Sequence, residues 1–180
     1  MRMPIYLLAL TAVAAAQETR REIVNAASAP ALDAKPNSSE VPDVYAVSSQ
    51  FERVLVLRFK YQTDLLAGLE KMVKEHKIRN GVILSAIGSV RNYHIHQVSN
   101  RTFPSKNTLV KDPTAPADIA GMNGFIMAGK LHPHITLASP DKAFGGHLEP
   151  GTEVFTFAIV TIGVLPDNLD LAKLDDKTYR

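Results

Sequence analysis

The sequence predicts a domain of α/β (α+β) class, in which several strands accompany one principal helix. Three observations carry that reading. Leu131 to Ala138 (LHPHITLA) alternates, with Leu131, Pro133, Ile135 and Leu137 on one side and His132, His134, Thr136 and Ala138 on the other; period two belongs to a half-buried strand. Leu65, Leu66, Leu69, Met72 and Val73 instead recur at helical spacing and form one apolar stripe. Glu153 to Ile162 (EVFTFAIVTI) is apolar and rich in β-branched residues, as expected of a central strand.

Length and composition agree with one such domain. The 180 residues suffice for a real core, and contents of 46% hydrophobic and 21% charged residues are those of a globular chain. Cysteine is absent, which excludes disulfides and thiolate metal sites. The formal charge is +2, and removing residues 1–16 takes away only Arg2, leaving +1. Net charge therefore draws the domain toward neither nucleic acid nor an anionic membrane.

In chain order, Met1 to Ala16 (MRMPIYLLALTAVAAA) has one positive charge, an apolar run and a small-residue end. It reads as a signal peptide cleaved after Ala16, so the expected location is secreted or periplasmic. The run is too short for a span of about 20 residues. Residues 17–43 are rich in Ala, Ser, Pro and charge, and Pro30, Pro36 and Pro42 break any long element, so a flexible linker is expected. The domain proper is expected over 44–165 and a polar C-terminal tail over 166–180, where Leu169, Leu171 and Leu174 have the option of docking locally.

Within the domain, Val44 to Val47 and Arg53 to Phe59 read as strands. Thr63 is the expected N-cap of the helix, with Asp64 in its first turn and its end near Lys77. Asn80-Gly81 reads as a turn, and Val82 to Ile87 as a buried strand. Tyr93 to Val98 (YHIHQV) puts His94 and His96 on one face of another strand. That pair fits a second metal site, a contribution to the site below, or polar surface. Residues 100–121, with Pro104, Pro113 and Pro116, read as a long loop that caps the histidine face or reaches a neighbouring subunit. Phe125 to Ala128 is a short strand that Gly129-Lys130 turns back as a hairpin.

The chemistry concentrates in the next stretch. His132 and His134 stand two residues apart on one strand face, so their Cβ atoms are about 7 Å apart. Two imidazoles at that separation can lean together onto one ion with bonds of about 2 Å. Pro133 has no N–H, which places this strand at an edge or beside a bulge. Ser139 to Lys142 turns the chain, Gly145-Gly146 brings it back, and His147 follows at once. A third imidazole there completes a three-nitrogen face with an open coordination position. The same residues also fit plain polar surface around a turn.

The runs LHPHITLA and GGHLEPGTEV, with IRNGVILSAIGSV upstream, resemble the plants-and-prokaryotes-conserved (PPC) domain, whose usual form is H-x-H-x-x-L followed by G-G-H-L. The resemblance covers about residues 44–165. It implies an α/β fold with a mostly antiparallel sheet, one principal helix and assembly into homotrimers. Carried over by residue, the histidine motif falls on His132, His134 and His147. Plant members join the domain to AT-hooks and bind AT-rich DNA, whereas stand-alone prokaryotic members keep the histidines. Pro133, the segment 100–121 and the leader depart from the family pattern.

The expected function is therefore an exported protein that binds zinc or another divalent transition metal through His132, His134 and His147. Glu149 lies two residues after His147 and, with His94 and His96, is a candidate to support the ligands or serve as a base. A small molecule fits the open position. No GxSxG elbow, Walker loop, GxGxxG turn or HExxH helix occurs, so no catalytic residue is assigned. The alternatives are DNA binding, which lacks an Arg-Gly-Arg hook and a basic balance, and a metal-free oligomeric interaction module.

Overall fold

The computed structural model describes residues 22–25, 42–44, 46–101, 105–171 and 174. The leader and Pro104 lie outside them, as does most of the segment 17–43. Among the described residues the chain forms nine strands and one helix. The strands are β1 (Glu22–Asn25), β2 (Arg53–Lys60), β3 (Asn80–Val90), β4 (Tyr93–Val98), β5 (Asn107–Asp112), β6 (Ala117–Met127), β7 (Lys130–Ala138), β8 (Ala143–Leu148) and β9 (Val154–Leu165), with α1 at Leu65–Glu75. One sheet in the order β1-β5-β4-β8-β7-β6-β3-β9-β2 contains them all, and every pairing is antiparallel.

The two faces of the sheet differ because each strand keeps its period of two. The inner face carries Leu57 and Phe59 of β2, Ile135 and Leu137 of β7, Val160 and Ile162 of β9, and their neighbours, all buried in one core cluster with residues of α1. The helix contributes Leu65, Leu69 and Val73, the buried line of its stripe. Each leucine that is fully buried there contributes about 2 kcal/mol. Asp64, not Thr63, is the N-cap: its Oδ1 accepts from the Ala67 N–H at 2.9 Å, while its Oδ2 accepts from the Gly151 N–H at 2.6 Å. The helix closes on His76 as C-cap, and Lys77 follows in a left-handed conformation (φ 50°).

Several expectations change once long-range pairing is known. The described residues 44, 46 and 47 belong to no strand, and Val44 is 86% exposed. Apolar spacing without a partner strand does not hold an extended segment in place. Conversely, Glu22–Asn25, inside the expected linker, pairs with β5 at the sheet edge. The expected loop 100–121 contains β5 and the start of β6. Its prolines 113 and 116 occupy only the connection between those strands, where Asp112 Oδ1 accepts from the N–H groups of Thr114 (3.0 Å) and Ala115 (2.9 Å). Asn80 is not a turn residue but the buried first residue of β3. Its Nδ2 donates to the carbonyls of Pro166 (3.0 Å) and Leu169 (2.9 Å), tying down the start of the tail, whose Leu171 is buried against Met127 and Leu165.

Two features of the hairpins position the histidines. Ala128 (φ 51°) and Gly129 (φ 80°) form the two-residue turn between β6 and β7, one residue earlier than the sequence suggests, with positive φ at both positions as a type I′ turn requires. Gly145-Gly146 is not a turn but the middle of β8. A Cβ at Gly145 would collide with the Ile135 carbonyl, and one at Gly146 with the His96 carbonyl, so both neighbouring strands approach β8 through these positions. Ser139 to Lys142 makes the reversal, as expected, closed by the Ser139 N–H donating to the Lys142 carbonyl at 2.9 Å. β7 is interior to the sheet, yet β8 pairs only with His134 to Ala138. Among the described residues, Lys130 to Pro133 thus has β6 alone beside it, which is why a residue lacking an N–H is accommodated there.

Candidate metal centre

His132 and His134 lie on the outer face of β7, opposite Phe125 and Asn123 of β6. His147 lies on the same face of β8, directly opposite His134 on one side and His96 of β4 on the other. The antiparallel register therefore lines up His96, His147 and His134 across three adjacent strands, with His132 two residues along. Ring centroids of His132 and His147 are 4.9 Å apart, and those of His134 and His147, and of His132 and His134, 5.4 Å apart. The first two rings are nearly parallel (7°), and His147 stands almost perpendicular to both (82° and 87°). One ring nitrogen from each of His132, His134 and His147 lies within 4.8 Å of the others. A tetrahedral ion with bonds of about 2 Å asks for nitrogens about 3.3 Å apart, inside the 4.8 Å bound on this cluster.

The electrostatics favour neutral rings. Burial pushes the His147 ring down to about 4, and repulsion from His96, His132 and His134 acts in the same direction, against a smaller opposing pull from Glu149. Burial likewise lowers His134, with His132 and His96 adding repulsion. At neutral pH both rings keep an unprotonated nitrogen, the form a metal requires. His134 is exposed while His132 and His147 are half-buried, so the cluster opens to solvent on the His134 side. Three imidazoles of this kind suit zinc, copper, nickel or iron and leave at least one position for water or an oxygen ligand.

The second histidine pair divides. His96 stacks on His147 (4.6 Å, 23°), and its Nδ1 donates to Glu149 Oε1 at 2.5 Å. His94 turns to the neighbouring bend, its Nδ1 2.9 Å from the Pro150 carbonyl, while Thr152 Oγ1 accepts from the His94 N–H (2.9 Å) and donates to its carbonyl (3.1 Å). Glu149 thus bonds His96, and its charge also acts on His147. Sequence reading missed Asn123 and Phe125 as neighbours of the ligand strand. The signal for them was present: counting outward from a two-residue turn at Ala128-Gly129 puts 125 opposite 132 and 123 opposite 134.

A stretch of 119 residues, 66% of this chain, is 28% identical to the bifunctional protein GlmU of Synechococcus sp. (strain JA-3-3Ab), of whose length it covers only 18%. The metal-containing protein AF0104 from Archaeoglobus fulgidus superimposes with a TM-score of 0.57 at 25% identity, over 68% of this chain and 86% of that one. A plant- and prokaryote-conserved (PPC) protein from Pyrococcus horikoshii gives the same score at 20% identity, over 68% and 85%. With residues 46–166 matching the family description and the fold shared with its solved structures, this chain belongs to the Plants and Prokaryotes Conserved (PCC) domain family.

Proposed function

We propose that this protein binds one divalent transition metal ion, zinc foremost, through His132, His134 and His147, with an open position that takes water or a small oxygen-bearing ligand. The observation that carries the reading is the convergence of three ring nitrogens within 4.8 Å on two hydrogen-bonded strands. The likeness to a metal-containing protein from Archaeoglobus fulgidus supports it. In this proposal Met1 to Ala16 acts as a signal peptide that directs export. Self-association, as a trimer, accounts for an outer face that leaves Val54, Val56, Ile87, Phe155 and Phe157 exposed on neighbouring strands. Purified protein, stripped with a chelator and reloaded, is expected to retain one metal ion per chain by elemental analysis. His132→Ala and His147→Ala are expected to retain none. Wild-type protein that holds no metal overturns the reading.

A second reading, duplex DNA binding, has one specific observation in its favour. A cleft of about 840 Å³ at the helix C-terminus is lined by Lys74, Lys77, Arg79 and Lys130, with Glu70 and Asp167 opposing them. Phosphate contacts there require an affinity that falls steeply with salt. An affinity insensitive to salt, or none at 50 mM salt, removes this reading.

A further inference from the structure

We infer that Glu149 and His96 act together as a positioning pair that holds the His147 ring in place and so sets how tightly the three-histidine centre keeps its ion; the inference rests on the metal reading above. In the familiar arrangement a carboxylate bonds the far nitrogen of a metal-ligating histidine. Here it bonds a different ring, and that ring lies flat against the ligand. Glu149 Oε1 accepts from His96 Nδ1 at 2.5 Å, and both side chains are only about a quarter exposed (25% and 24%). The His96 ring covers one face of His147 at 4.6 Å, while His132 and His134 meet His147 nearly edge-on. His147 is therefore held from several sides and has little rotamer freedom left to lose on binding.

The pair stands on rigid backbone. His96 and His147 are direct cross-strand partners, and the Glu149 N–H donates to the His94 carbonyl at 3.0 Å, so the last residue of the pair is itself anchored to β4. The hydrogen bond to Glu149 fixes which nitrogen of His96 carries its proton and locks the plane of the ring. Glu149 also adds a negative charge near the centre, and among the groups acting on His147 it is the one that favours positive charge there. Removing His96 frees the ligand ring; removing Glu149 frees His96. Both losses lead to the same weakened site.

The test is zinc affinity of the full chain, measured by competition with a chromophoric chelator at pH 7.5. His96→Ala and Glu149→Ala are each expected to weaken zinc binding about 10–100-fold, the range for residues that orient metal ligands. Glu149→Gln keeps an oxygen to accept the Nδ1 hydrogen and is expected to restore most of the affinity. The double variant is expected to bind no more weakly than His96→Ala, because the two act as one unit. The melting temperature of the zinc-free variants, together with a milder His96→Gln substitution, separates this effect from misfolding. Wild-type affinity in His96→Ala and Glu149→Ala overturns the inference and leaves the metal centre standing. Fully additive losses in the double variant overturn the pairing. A wild-type protein that binds no zinc overturns both readings at once.

Discussion

The two H-x-H pairs of this chain, His132/His134 and His94/His96, share a spacing, a strand setting and a face of the same sheet, yet they end differently. His134 has His147 directly across the ladder, and both members of its pair point into a cluster of rings. His94 has the bend at Glu149-Pro150 beside it and bonds the Pro150 carbonyl, while His96 stacks against the cluster from outside. Spacing makes two rings neighbours. What lies opposite on the next strand decides whether they can meet a third.

The largest break in that comparison comes from exchanging the pairs in an affinity measurement. His134→Ala is expected to weaken zinc binding by more than about 100-fold, beyond the range for outer partners, whereas His94→Ala leaves it unchanged. Equal losses in a chelator competition would make the two pairs equivalent. Next in size is Gly146→Ala. Its Cβ meets the His96 carbonyl, so β4 must part from β8; a loss of about 3 kcal/mol in a denaturant melt is expected, within the range for core disruption. A variant as stable as wild type would show that β4 gives way easily and that the rows of histidines are not in fixed register.

A smaller effect is the pH dependence of the metal-free protein. The His147 ring is depressed to about 4 in the folded chain against 6.5 in the unfolded one, so the unfolded state binds the extra proton between those values. Its contribution to stability is complete above about pH 6.5 and is lost as pH falls toward 4. The ring is only half-buried, so solvent screening keeps the effect modest. The melting temperature of His147→Gln is expected to fall less steeply than that of wild type across this window; parallel curves would show that His147 carries no such strain. The smallest effect belongs to the stability of His94→Ala, about 1 kcal/mol or less for one hydrogen bond to a carbonyl, read by the same melt.

What was legible in the sequence was local. Alternation from Leu131 to Ala138 gave the correct faces, with Pro133, Ile135 and Leu137 buried and His134 and Thr136 exposed. The stripe Leu65, Leu69 and Val73 gave the helix, because a 3.6 period needs no partner to be visible. The return of His147 toward β7 was legible from a short connection. Pairings that join distant residues were not. β5 becomes a strand only because β4 and β1 flank it, and nothing in NTLVKD announces either neighbour. The Gly145-Gly146 step looks like a turn until β7 and β4 are known to press on it from both sides. The bond between His96 and Glu149 depends on the β4–β8 register, which is set across about fifty residues of chain and has no marker in either segment.

One carboxylate ties the helix to the sheet. Asp64 accepts from the first turn of α1 with one oxygen and from the bend before β9 with the other, so neither end of that link can loosen alone. Fraying of the helix start and opening of the bend that follows Glu149 become a single local event. The supports of the histidine cluster thereby inherit the cooperativity of a helix packed on the opposite face of the sheet.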